Sequence, residues 1–168
     1  LNMTKPHGIV TGAGKGIGLS VVENLLSNNY SISAVTRSES KDLDKLSRVY
    51  KDSLNIIYSD LGNINEIDKT LKKIFKTKSF TFLVNNAGIR ARYPLLKIKD
   101  KDLFNVINNN FLSSFLITKE YIKNIKKNNK VKHSIVSISS IVGPQGFSEL
   151  SSYAASKGAL EASMKSLA

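Results

Sequence analysis

A tight glycine cluster lies between two apolar segments near the start of the chain. It restricts the fold more than any other feature. Residues 8–18 read Gly-Ile-Val-Thr-Gly-Ala-Gly-Lys-Gly-Ile-Gly. The run Ile9-Val10 before it suits a short buried strand. Leu19 to Leu26 behind it carry apolar residues at the spacing of a helix with one buried face. Strand, glycine-rich turn and helix, in that order, are the setting a dinucleotide-binding turn requires. Glycine allows a tight turn and close backbone approach to a pyrophosphate. The helix N-terminus adds free N–H groups and the positive end of its dipole. The pattern present is Thr-Gly-x-x-x-Gly-x-Gly, through Gly12, Gly16 and Gly18, with Gly14, Lys15 and Ile17 inside it. The stricter Gly-x-Gly-x-x-Gly fails, because Ile17 and Leu19 occupy its last position in the two possible registers. Alone, the cluster also suits a plain flexible turn.

The remainder of the chain alternates strand-like and helix-like segments, the mark of a parallel sheet with helices on both faces. Strands are expected near 8–11, 31–36, 54–58, 81–85 and 133–139, and helices near 16–28, 39–52, 63–77, 100–127 and 151–168. This predicts an α/β, doubly wound, three-layered Rossmann fold in a single domain over 1–168. Right-handed crossovers bring the glycine turn and the ends of the third, fourth and fifth strands to the carboxyl edge. Open α/β sheets bind ligands at that edge.

A second constellation lies near the far end. Tyr153 and Lys157 are four apart and so share one face of a helix. An ammonium beside a phenol favours the phenolate and lowers a pKa that is ordinarily about 10. Such a tyrosine exchanges a proton with a carbonyl or an alcohol near neutral pH. Ser140, thirteen residues before Tyr153, offers a hydroxyl from a strand end to the same oxygen. Tyr93 and Lys97 repeat the spacing and serve as a control. Pro94 lies between them, which suits a helix only in its first turn, and Phe80, thirteen residues earlier, offers no hydroxyl. Taken alone, Tyr153 and Lys157 also fit an amphipathic helix with a surface lysine.

Composition narrows the classes. At 168 residues and 41% hydrophobic content the chain is long and apolar enough for one globular core. Having no cysteine, it has no disulfide, thiolate metal site or cysteine nucleophile. His7 and His133 lack metal-ligand spacing, and no metal is expected. The opening residues have no apolar signal core, and no later run is long enough for a membrane span. A soluble, cytoplasmic protein is expected. The net charge of +12, from 25 Lys+Arg against 13 Asp+Glu, invites a nucleic-acid reading. The lysines are instead spread along helix faces, as in Lys69 to Lys76. The densest stretch, Lys123 to Lys132, is interleaved with asparagine rather than aromatics. No nucleic-acid partner is expected, though the positive field helps attract phosphorylated cofactors and acidic carriers.

Five motifs in order and in register carry a family resemblance. They are the glycine turn, Asp60-Leu61, Asn85-Asn86-Ala87-Gly88, Asn110, and the set of Ser140, Tyr153 and Lys157. Together they resemble the short-chain dehydrogenase/reductase family from about Met3 to the last residue, most nearly the bacterial 3-oxoacyl-(acyl-carrier-protein) reductases. The resemblance implies an NAD(P)-dependent oxidoreductase, here an NADPH-dependent carbonyl reductase or alcohol dehydrogenase. Tyr153 would protonate the developing alkoxide. Lys157 would tune Tyr153 and hold the nicotinamide ribose, Ser140 would orient the carbonyl, and Asn110 would anchor a proton relay within a local helix distortion. Asp60 would accept from the adenine amino group, with a turn or cap as its alternative, and Asn86, Ala87 and Gly88 would flank the cofactor. For Asn108 or Asn109 a solvated face is the alternative.

Lys15 and Arg37 place positive charge where a 2′-phosphate would lie, and Ala34-Val35-Thr36-Arg37-Ser38 holds no acid to grip a 2′-hydroxyl. NADP is therefore expected over NAD. The partner is a small-molecule or carrier-bound carbonyl, with a 3-oxoacyl thioester of fatty acid biosynthesis as the single best expectation. A homodimer or homotetramer is expected for a full-length protein. The alternative is a non-catalytic dinucleotide-binding or interaction protein on the same fold. Ala168 falls inside an apolar helix-forming run with no stop signal. The chain is therefore expected to be C-terminally truncated, before the family's sixth strand and substrate loop.

Overall fold

The structure is a computed structural model that describes residues 5–76, 79–125 and 132–168. Five parallel strands form one sheet: β1 His7–Thr11, β2 Ser31–Thr36, β3 Leu54–Tyr58, β4 Phe82–Asn85 and β5 Ser134–Ser137. Their spatial order is β3-β2-β1-β4-β5. β1 pairs with β2 from His7↔Ser31 to Thr11↔Val35, and with β4 from Gly8↔Phe82 to Val10↔Val84. The order reverses at β1, so the carboxyl ends of β1 and β4 open a crevice at the switch point.

Side-chain alternation along each strand divides the core into two layers. On one face, Val10, Ala34, Ile32 and Val84 pack against Val22 and Leu26 of α1 (Gly16–Ser27) and Leu43 of α2 (Lys41–Val49). On the other, Ile9, Val35, Ile57 and Leu83 meet α3 (Ile67–Phe75) and the helix α5 (Ser113–Ile125), through Ile67, Ile74, Ile117 and Tyr121. Strands buried on both faces need apolar residues on both, and Ile9-Val10 of β1 and Ala34-Val35 of β2 supply them, with Thr11, Ser33 and Thr36 as buried polar exceptions. The expected α/β doubly wound architecture is therefore the one formed.

The long helix expected over 100–127 is interrupted. It consists of α4 (Asp100–Ile107), a π-helical turn over Asn108–Leu112, and α5. A π-turn carries one extra residue per turn and pushes its side chains out of the regular α register. Positions 126 and 127 of that expectation lie outside the described residues, as does 77 of the helix expected over 63–77. A short helix, α6 (Val142–Gln145), precedes α7 (Ser151–Lys165). It lies between the strand expected near 133–139 and the helix expected near 151–168, where no element is expected from the sequence.

Beyond α1, the same face of β4 and β5 forms an open apolar trough of about 1480 Å³. Phe82, Val84, Val136 and Ile138 line its floor and Val21 and Leu25 one wall. Apart from Ile17 at its end, none of the expected site residues lines it.

Candidate active site

The glycine turn adopts the shape its composition requires. Gly12 and Gly16 have φ of +64° and +54°, a region that favours glycine. Gly18 lies in the first turn of α1, and a Cβ there would overlap the Gly12 carbonyl and the Asn86 side chain. The turn is also tied from the opposite strand. Asn86 Nδ2 donates to the carbonyls of Thr11 and Gly12 at 3.0 and 3.1 Å. The Thr11 hydroxyl accepts from the backbone N–H groups of Asn86 and Ala87, both at 3.0 Å. The Asn86 amide is thus spent on the scaffold, although the residue still lines the crevice.

That crevice holds about 480 Å³ and is walled by Gly12, Gly14, Lys15, Gly16, Ile17, Arg37, Asp60, Leu61, Asn86, Ala87 and Gly88. Eleven of the residues expected to hold a cofactor therefore share one space, with Gly18 buried in the first turn of α1, whereas Tyr153 and Lys157, also expected to hold it, do not line that space. Asp60 also accepts from the Gly62 N–H at 3.0 Å, so its turn-forming alternative is realised alongside its place in the crevice. Arg37 and Lys15 are exposed at the wall. Glu39 stands in the same wall, an acid three residues beyond the end of β2 that spacing arguments do not single out.

The asparagine triplet is resolved by the π-turn. Asn110 is fully buried. Its Oδ1 accepts from the Ile89 N–H at 2.7 Å, and its Nδ2 donates to the Ile89 carbonyl and to Ser156 Oγ, both at 2.9 Å. The side chain completes a backbone pairing for the segment leaving β4 and ties it to α7. Asn109 does not belong to a solvated face. It is buried, donates to Asn105, and lines the crevice, because the extra residue in the π-turn rotates it inward. Nothing in the sequence besides the run of three asparagines signals this.

Tyr153 and Lys157 stand one turn apart on α7, as their spacing requires. Lys157 is buried, and its Nζ donates to the Ile138 carbonyl at 2.7 Å. It makes no hydrogen bond to the Tyr153 phenol among the described residues. A buried ammonium needs an acceptor, and the free carbonyl just past β5 provides one. Ser140 lies two residues beyond that carbonyl, half-buried, with its Oγ accepting from the Val142 N–H at 3.2 Å. Gly143 lets this turn lie flat on α7: a Cβ there would stand 3.1 Å from the Gly158 nitrogen. Gly88 joins the two halves of the site. A Cβ on it would be 3.2 Å from Asn110 Oδ1 and 3.6 Å from Lys157 Nζ. The control pair behaves differently: Tyr93 precedes Pro94, and Lys97 ends a short 3₁₀ turn, so they share no helix face.

Burial pushes the Lys157 ammonium below its ordinary value of 10.5. The unfolded chain therefore holds more protons at this residue between the folded value and 10.5, and stability rises with pH across that window. In urea unfolding at about pH 7 and about pH 10, the wild type should gain stability relative to Lys157→Met as pH rises. A constant difference between the two would contradict the burial effect.

Among the described residues, no group of His, Asp or Glu is arranged to hold a metal, and no helix is long and apolar enough to cross a membrane.

Known proteins are similar to this chain in sequence and in fold. The chain is 34% identical over 170 residues to the 3-oxoacyl-(acyl-carrier-protein) reductase FabG of Buchnera aphidicola, covering 100% of this chain and 68% of that one. It is 34% identical over 167 residues to the FabG of Rickettsia prowazekii, covering 99% and 67%. A short-chain dehydrogenase from Streptomyces avermitilis superposes with a TM-score of 0.90 at 24% identity, over 99% of this chain and 61% of that one. A 3-oxoacyl-(acyl-carrier protein) reductase from Brucella melitensis does so with a TM-score of 0.87 at 25% identity, over 99% and 70%. The chain thus spans about two thirds of the length of these relatives. The model of the short chain dehydrogenase family matches residues 7–168, and the chain belongs to that family.

Proposed function

We propose that this chain carries the dinucleotide-binding and proton-transfer machinery of an NADPH-dependent carbonyl reductase. The observation that carries the reading is the placement of Gly88, which lines the crevice and lies against both Asn110 and Lys157. A dinucleotide laid along the glycine turn would end at the helix that bears Tyr153.

The residues present fit such a cofactor. The positive-φ turn at Gly12 and Gly16 opens onto the N-terminus of α1, where a pyrophosphate is favoured. When bound, the nicotinamide supplies the hydride that the protein itself cannot. The chain's own residues manage the proton. The Tyr153 hydroxyl donates to the oxygen of the carbonyl as negative charge develops on it. Ser140 hydrogen-bonds the same oxygen and orients it. The Lys157 ammonium, fixed by the Ile138 carbonyl, stabilises the phenolate left on Tyr153. Asn110 holds Ile89 and Ser156 so that Gly88 and α7 keep their separation.

A 3-oxoacyl thioester is the favoured substrate, on the strength of what the Buchnera and Rickettsia relatives are named for. The decisive assay is NADPH oxidation with an acetoacetyl thioester and a panel of ketones. Tight NADPH binding without turnover of any of them would instead favour a non-catalytic dinucleotide-binding protein.

The NADP preference rests on Arg37 and Lys15 in the crevice wall. A 2′-phosphate would pair with them, whereas Glu39 opposes it. Arg37→Asp should weaken NADPH binding about tenfold or more while NADH binding holds or improves, because a charge-assisted contact is replaced by repulsion. The chain has no tryptophan, so the cofactor's own fluorescence reports both affinities cleanly. Equal affinities in the unmodified protein would defeat the preference.

A further inference from the structure

We infer that Arg92 and Glu149 form a clasp across the mouth of the site and act as positioning residues that set the width of the substrate pocket. The inference rests on the carbonyl-reductase reading above.

Two loops adjoin the site along the chain: residues 90–99, which continue from Ile89, the residue held by Asn110, and residues 146–150, which lead into α7, the helix of Tyr153 and Lys157. They meet at one residue. The Tyr93 N–H donates to the Glu149 carbonyl at 2.8 Å. Arg92 Nε donates to Glu149 Oε2, also at 2.8 Å. Glu149 lies four residues before Tyr153, and Leu150, next to it, caps α7. The Leu150 carbonyl accepts the Ala154 N–H at 2.7 Å. Any shift of Glu149 is therefore passed to the first turn of the catalytic helix.

Stability alone does not account for a glutamate here. Glu149 has φ of +63°; Asn29 is the other non-glycine residue with positive φ among those described. Asparagine tolerates that region and glutamate does so poorly. The ion pair set against the strain is exposed, with side-chain exposures of 62% and 39%, and exposed pairs return little. Glycine would fit the backbone better at no cost to the Tyr93 hydrogen bond, which uses the Glu149 carbonyl. Strain that local contacts do not repay is the kind found at functional sites. What glutamate adds over glycine is the tether to Arg92, and hence a fixed spacing between the two loops.

The test compares Glu149→Gly, Arg92→Met and Arg92→Lys with the unmodified protein. Glu149→Gly should melt about 3 °C higher, because the strained φ is relieved. Glu149→Gly and Arg92→Met should both raise KM for an acetoacetyl thioester at least fivefold, with kcat changing less and the NADPH dissociation constant staying within about twofold. Arg92→Lys, which keeps the charge, should recover most of the loss. Unchanged KM in both variants would overturn the clasp, as would a Glu149→Gly protein that melts lower.

Failure of the parent reading is recognisable separately, because the unmodified protein would then reduce no carbonyl. In that case the clasp is judged by backbone hydrogen exchange at Tyr93. Exchange should quicken about tenfold in Arg92→Met if the tether holds the loops together, and an unchanged rate would overturn it.

Discussion

Tyr153→Phe should lower the rate of NADPH-dependent carbonyl reduction by a factor of about 10² to 10⁴ while leaving the NADPH dissociation constant within about twofold. The substitution removes one oxygen and keeps the ring, so α7 and its packing are undisturbed. What is lost is the proton that must reach the carbonyl oxygen as charge develops there, and general acid catalysis supplies roughly that factor. Cofactor affinity depends instead on the crevice, whose walls Tyr153 does not form. Tyr93→Phe is the matched comparison. That tyrosine contacts the second loop through its backbone N–H, which the substitution keeps, so its rate should stay near that of the unmodified protein. Similar behaviour of the two variants would remove Tyr153 from the reaction.

Asn110→Leu should cost stability before it costs chemistry. The side chain is fully buried and makes three hydrogen bonds, two of them to the backbone of Ile89. Leucine has a similar volume but leaves the Ile89 N–H and carbonyl without partners. Each unsatisfied buried group costs about 1–3 kcal/mol. For a domain of this size the two together correspond to a fall in melting temperature of roughly 10 °C. Ile89 and Gly88 would then move away from Lys157, so residual activity should be low even below the melting transition. Asn110→Asp is the informative partner: it keeps the acceptor for the Ile89 N–H but loses both donated bonds. It should fall between the unmodified protein and Asn110→Leu. A leucine variant that melts like the unmodified protein would show that Ile89 is held by something other than Asn110.

The elements were legible because their signals are local. Val10 and Ile9 point to opposite faces by strand geometry alone. The glycines at 12 and 16 read as a turn because few other residues adopt positive φ. Tyr153 and Lys157 read as one face because helical periodicity allows nothing else. Pro94 excluded the second tyrosine–lysine pair for an equally local reason.

The misreadings arose where local rules compete with packing. Asn109 has the polarity of a surface residue, yet the π-turn carries it inward to the crevice. That extra residue is stabilised by Asn110 bonding across to Ile89 and Ser156, contacts 21 and 46 residues away in sequence. Lys157 shares the helix face with Tyr153 as expected, but that its ammonium is anchored by the Ile138 carbonyl, 19 residues away, has no local signal. Glu39 went unremarked because its place in the crevice depends on how the chain leaves β2.

By itself, then, the sequence determined the order of strands and helices, the glycine turn and the family, and singled out the side chains proposed to bear the chemistry. Each of these depends on spacing within a turn of helix, a pair of strand residues or a single backbone angle. Only the tertiary structure decided which groups meet: Gly88 against Asn110 and Lys157, Asn86 against the glycine turn, and Arg92 against Glu149. Such contacts depend on the closure of loops tens of residues long, and no local preference of the chain encodes where those loops come to rest.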